Sequence, residues 1–174
     1  MREINPPLKL SARILQSIGR VAVAWSGIEA ALEIAICGLY QIDFGRGLVL
    51  TANIGFQSRL ALLRILAHGG AISDVAEAKT CLELLSAIEK GYAARNTVIH
   101  ASWGPSKMPG RAKRLYIRAK GKTLRAVTEE VSEREIESVA DQIEDLASDW
   151  LGLMDRLNLW GAAQFDAATN ADRT

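Results

Sequence analysis

Residues Ile14 to Leu39 read ILQSIGRVAVAWSGIEAALEIAICGL, and their spacing decides the fold class. Ile14, Ile18, Val21, Trp25, Ile28, Leu32, Ala35 and Leu39 follow one another at alternating steps of four and three. That is one apolar stripe along a helix of about thirty residues. A strand is excluded over this length because strict alternation fails. The most apolar part, Val21 to Tyr40, carries Glu29 and Glu33. Two carboxylates in that run argue against a membrane span.

Upstream, Asn5-Pro6-Pro7 predicts an extended lead-in, since proline and the residue before it resist helix. No apolar run follows the N-terminal charges, so a signal peptide is not expected. Downstream, Gly45 and Gly47 mark a break, and Leu48 to Ala52 is ambiguous. Ser58 reads as the N-cap of a second helix with Leu62, Leu63, Ile65 and Leu66 on its apolar side. Ser73 reads as the N-cap of a third, with Cys81, Leu85, Ile88, Tyr92 and Ile99 on its stripe. Trp103-Gly104-Pro105 stops that helix, and 105–114 reads as a loop. Leu115 to Arg118 and Thr123 to Val127 alternate around Lys120-Gly121 and predict a small hairpin. Ser132 and Glu135 form a capping box. It opens a fourth helix with Ile136, Val139, Ile143, Leu146, Trp150, Leu153 and Leu157 on one stripe. The expectation is an all-α, up-and-down four-helix bundle. The hairpin is then a small insertion between the last two long helices.

The chain has 174 residues, 49% of them apolar and 24% charged, which suits one folded domain and excludes wholesale disorder. Cys37 and Cys81 are too few and too far apart for a disulfide framework or a zinc site, and read as buried thiols in a reducing cytosol. The net charge is only +1, yet the charges are segregated. From Lys107 to Arg125 there are eight bases (Lys107, Arg111, Lys113, Arg114, Arg118, Lys120, Lys122 and Arg125) and no acid. From Glu129 to Asp155 there are ten acids against Arg134 alone. The basic run suits contact with a phosphate backbone, and Tyr116 within it suits stacking on a base. The alternative is a solvated hairpin whose charge pairs with the acidic helix after it.

Only two histidines are present, His68 and His100. His68 precedes Gly69-Gly70 and reads as a helix-end residue. His100 closes Arg95-Asn96-Thr97-Val98-Ile99-His100 near the end of the third helix. At about 100° per residue, Asn96 and His100 share a face one turn apart, so Asn96 is placed to orient the imidazole. Arg95 and His100 fall about 140° apart and are expected to point in different directions. Arg95 occupies a place on the apolar stripe, where an arginine is costly unless it has a partner or reaches a cleft. A histidine that moves protons near neutral pH, beside an arginine that stabilises phosphoryl charge, suits phosphodiester chemistry.

That six-residue run, late in an apolar helix of a small helical chain, resembles the HEPN superfamily. Its signature is an arginine, usually followed by a polar residue, with a histidine a few positions on. Arg95 and His100 match the form with four residues between them. Trp25 and Glu29 in the first helix, Ser58 in the second and Trp103 after the histidine fit the same resemblance. It spans roughly Val21 to Trp103, and the fourth helix completes the bundle.

The resemblance implies a single helical domain over 1–160, with the insertion at about 113–128 and a fraying tail over 161–174. It also implies a cytoplasmic, metal-independent endoribonuclease of toxin or defence type that needs no cofactor. Arg95, Asn96 and His100 would be catalytic, and a homodimer would bring two copies of the motif together, so that the arginine of one chain serves the histidine of the other. His100 would act as general base or acid for attack by the RNA 2′-hydroxyl, and Arg95 would stabilise the phosphorane. RNA, guided by the basic hairpin, is the expected partner, and a toxin role would bring a cognate antitoxin protein. The competing reading is a non-catalytic HEPN-like binding or assembly module. Metal-dependent hydrolysis is not expected, since no acids cluster beside His100. Nor is a nucleoside triphosphatase, since no Gly-rich loop follows a strand.

Overall fold

The computed structural model describes residues 10–120 and 123–163. The long stripe forms one helix, α1, over Ala12–Tyr40. It is followed by α2 (Phe44–Thr51), α3 (Phe56–His68) and α4 (Val75–Ile99), then β1 (Ser102–Pro105), β2 (Arg111–Lys120) and β3 (Thr123–Ser132). After these come α5 (Glu133–Arg156) and a short 3-10 helix, Leu159–Ala163. The all-α four-helix bundle with a small hairpin insertion is therefore incorrect. Among the described residues, five α-helices accompany a three-stranded antiparallel sheet in the order β1-β2-β3.

Two physical reasons account for the difference. α4 already ends at Ile99, and Trp103-Gly104-Pro105, expected to stop it, lies instead within a strand that pairs Ser102 with Leu115 and Pro105 with Ala112. A four-residue strand holding Gly and Pro has no alternation to read, and only its partner makes it a strand. The second reason is α2, whose two glycines are poor helix formers. Asp43 caps it by accepting from the Arg46 amide at 3.0 Å. Gly47 is required there: a Cβ at that position would stand 2.1 Å from Cys37 Sγ on α1.

Caps also shift. Gly55, not Ser58, precedes α3, whose buried residues are Leu60, Leu63 and Ala67, and Ile65 is exposed. Asp74, not Ser73, serves α4, its Oδ1 accepting from the amides of Ala76 and Glu77 at 2.8 and 3.0 Å. The Ser132–Glu135 capping box is present. Glu135 Oε2 accepts from the Ser132 amide and hydroxyl, both at 2.7 Å, and Ser132 Oγ accepts from the Glu135 amide.

The chain divides into two compact units, one from 10–25 and 91–145, the other from 26–90 and 146–163, within the described residues. The first has a core of Ile14, Val21, Val98, Ala112, Val131, Ile136 and Ala140, so the base of the hairpin packs on helical side chains. Arg20 fastens α1 to α5, donating to Glu144 at 2.8 and 2.5 Å and to Asp141 at 2.6 Å. The second unit buries Ile28, Leu32, Leu60, Leu63, Leu85, Ile88 and Trp150. An Arg59–Glu33 ion pair is half-buried in it and an Arg64–Glu89 pair is more exposed, both at 2.7 Å. Among the described helices, α1 is the one long and apolar enough to cross a membrane by length and composition, and its Trp25, Ile28 and Leu32 are buried inside the protein. The Pro6-Pro7 lead-in, Gly121, Lys122 and 164–174 of the expected tail lie outside the described residues.

Candidate active site

The site lies in the first unit, at the end of α4. A helix leaves its last carbonyls without partners. Here the Trp103 indole takes one of them, donating to Val98 O at 2.8 Å. A weaker bond runs from Arg114 to Thr97 O at 3.4 Å. Trp103 and Arg114 belong to β1 and β2, so the sheet seals the helix end from which His100 emerges.

Arg95 does reach His100 within one chain, against the angular expectation. Its Nη1 stands 2.8 Å from His100 Nε2 and donates to Asn96 Oδ1 at 2.9 Å. The His100 amide still bonds to Asn96 O at 3.2 Å at the end of α4, so it is the long, flexible arginine side chain that spans the gap. Asn96 therefore engages Arg95 rather than holding the imidazole through its oxygen. The cost of placing Arg95 on an apolar stripe is offset by Trp25, whose ring centre is 6.0 Å from the guanidinium carbon. Trp25 in turn packs on Tyr92, with ring centroids 5.8 Å apart. Arg95 Nε is buried and makes no hydrogen bond.

A guanidinium can only donate, so His100 Nε2 is the acceptor in this contact. His100 is exposed, on the wall of an open pocket of about 690 Å³ shared with Asn96, Arg114, Tyr116, Ile117 and Glu129. Arg95 is not part of the lining and reaches it through Asn96 and His100.

The basic residues divide. Lys107 is exposed in the β1–β2 connection, and Arg111, Lys113 and Arg125 are exposed on the strands. Arg118 and Lys120 are placed on β2 by the backbone alone, and Lys122 lies outside the described residues. Arg114 is not a free cation: its Nη2 donates to Glu129 Oε2 at 2.6 Å. The Tyr116 hydroxyl donates to Glu129 Oε1, also at 2.6 Å, and the Arg114 guanidinium lies 5.5 Å from the Tyr116 ring centre. Glu129 is the site residue that sequence reading missed. Its signal was the hairpin register, which sets Arg114 opposite Glu129. Among the described residues no group of three or more His, Cys, Asp or Glu is placed to hold a metal ion.

No protein-family model matches the chain, and no curated protein or solved structure matches it.

Proposed function

We propose that this protein is a metal-independent endoribonuclease of HEPN type, cytoplasmic and acting in a toxin or defence role, with its chemistry at Arg95, Asn96 and His100. One observation carries the reading: a guanidinium stands 2.8 Å from Nε2 of an exposed imidazole on the wall of an open pocket. In the resting site Arg95 Nη1 masks His100 Nε2. An RNA phosphate, the stronger acceptor, draws the guanidinium away and uncovers the base. His100 Nε2 then takes the proton of the 2′-hydroxyl, whose oxygen attacks phosphorus. Arg95 stabilises the phosphorane, Asn96 steadies Arg95, and the bond to the 5′-oxygen breaks as that oxygen takes the proton held by the His100 imidazolium, which restores the base. The products are a 2′,3′-cyclic phosphate and a 5′-hydroxyl. The assembly proposed is a homodimer, and each chain carries its own arginine and histidine pair.

A second reading, a non-catalytic RNA- or protein-binding module, is favoured by the absence of Arg95 from the pocket lining. RNA binding and single-turnover cleavage measured side by side separate the two. For a nuclease, His100→Ala binds RNA like the wild type and cleaves it far more slowly. For a module, both bind and neither cleaves.

A further inference from the structure

We infer that the outer edge of β3 pairs with the same edge of a second copy of this chain, around a two-fold axis at Val127. In the order β1-β2-β3, the strand β3 is ten residues long and lies at the margin of the sheet. Sheet edges are commonly blunted by shortness, proline or charged side chains. β3, Thr123-Leu124-Arg125-Ala126-Val127-Thr128-Glu129-Glu130-Val131-Ser132, is long and contains no proline, and its three charged residues are of both signs, so they repel a copy in some registers and attract it in another.

Within one chain Arg125 is unbalanced. The backbone register sets it opposite Arg118, a residue that supplies no opposite charge. Arg125 is exposed and has no ion pair among the described residues. A two-fold axis perpendicular to a sheet keeps each face on its own side. Odd-numbered residues of β3 therefore meet odd-numbered residues of the second copy. Of the antiparallel registers this allows, only the one centred on Val127 sets Arg125 against a carboxylate, Glu129 of the second copy. Symmetry makes that pair twice. Glu129 already accepts from Arg114 and Tyr116, and a carboxylate has lone pairs for a further donor. On the same face Val127, the cross-strand partner of Tyr116, would meet its own copy at the axis. On the opposite face Ile117, 72% exposed, and Ala126 would continue into Thr128 and Leu115 of the second copy.

The other open edge does not offer this. β1 covers only Ala112 to Leu115 of β2, but the uncovered part, Tyr116 to Lys120, carries Arg118 and Lys120 and would repel itself. Because His100 precedes β1, the strand at the far side of the sheet order, this interface leaves each chain its own Arg95 and His100. Nothing in it depends on the nuclease reading.

Sedimentation velocity on the full chain across the micromolar range tests the pairing. The wild type is expected to be a dimer. Arg125→Glu and Glu129→Lys each set like charges together twice and raise the dimer dissociation constant about ten- to hundredfold. An equal mixture of the two variants again sets acid against base at both positions and restores the dimer. Arg125→Lys keeps the dimer, and comparing it with Arg125→Glu decides the matter should Glu129→Lys fail to fold. A wild type that stays monomeric, or a dimer that Arg125→Glu leaves intact, overturns the inference.

Discussion

Arg95 serves three neighbours, and what each accepts sets its chemistry: the Trp25 ring, the Asn96 amide oxygen and His100 Nε2. A planar fork spans such partners and a single ammonium does not. Arg95→Lys is therefore expected to slow RNA cleavage nearly as much as Arg95→Ala. His100→Ala removes the base and lowers the rate by about 10²- to 10⁴-fold. Its thermal midpoint stays at the wild-type value, since His100 is exposed. The thiols predict differently. Burial pushes Cys81 up to about 11 and also raises Cys37. Neither is labelled by iodoacetamide near neutral pH until urea unfolds the chain, and labelling of Cys81 in the native state would contradict its burial. Two carboxyls are held below their ordinary value of 4.5, Glu135 chiefly by the Ser132 hydroxyl and Glu144 chiefly by Arg20. Each binds fewer protons folded than unfolded in acid. Their stabilisation is full above 4.5 and lost as pH falls through the depressed values. The urea midpoint is expected to drop over that window, and Glu144→Gln to flatten the drop.

Among the elements, α2 makes the sharpest stability prediction. Gly47→Ala drives a methyl to 2.1 Å from Cys37 Sγ and should cost about 1–3 kcal/mol in urea unfolding. Removing the sulfur with Cys37→Ala in the same chain should recover most of that loss. An unchanged midpoint for Gly47→Ala would mean that α2 does not lie on α1 at this point. The same element shows where legibility stops. α1 was readable because its stripe repeats over 26 residues from Ile14 to Leu39, and α5 because Ser132 and Glu135 announce its start. The hairpin was readable from alternation at its two centres but not in its full length, since Lys113 and Glu130 continue the ladder as charged residues. α2 and β1 were not readable. One is made helical by its cap and by close packing of a glycine, the other is made a strand by a partner several residues further along the chain. Of the site, Arg95, Asn96 and His100 were visible as a motif. Their mutual approach was not, because helical angles place Cβ atoms and do not set how far the arginine side chain reaches.

Over the full chain, a near-neutral total divides into a basic stretch and an acidic helix, and part of each is neutralised internally. Arg114 is paired with Glu129, and Asp141 and Glu144 hold Arg20. The cations left for RNA include Lys107, Arg111 and Lys113, all exposed. RNA affinity should therefore fall steeply with salt. Replacing these three with Gln should reduce the log–log slope by about 0.7 for each phosphate that is no longer neutralised. An unchanged slope would remove this surface from RNA binding. The nuclease reading itself meets its most direct test in excess EDTA, with the full chain, RNA oligonucleotides and analysis of product ends. The wild type should leave a 2′,3′-cyclic phosphate and a 5′-hydroxyl, and His100→Ala should leave the RNA whole. Folded wild type that binds the RNA without cutting it, or cleavage that persists in His100→Ala, would contradict the assignment of chemistry to this site.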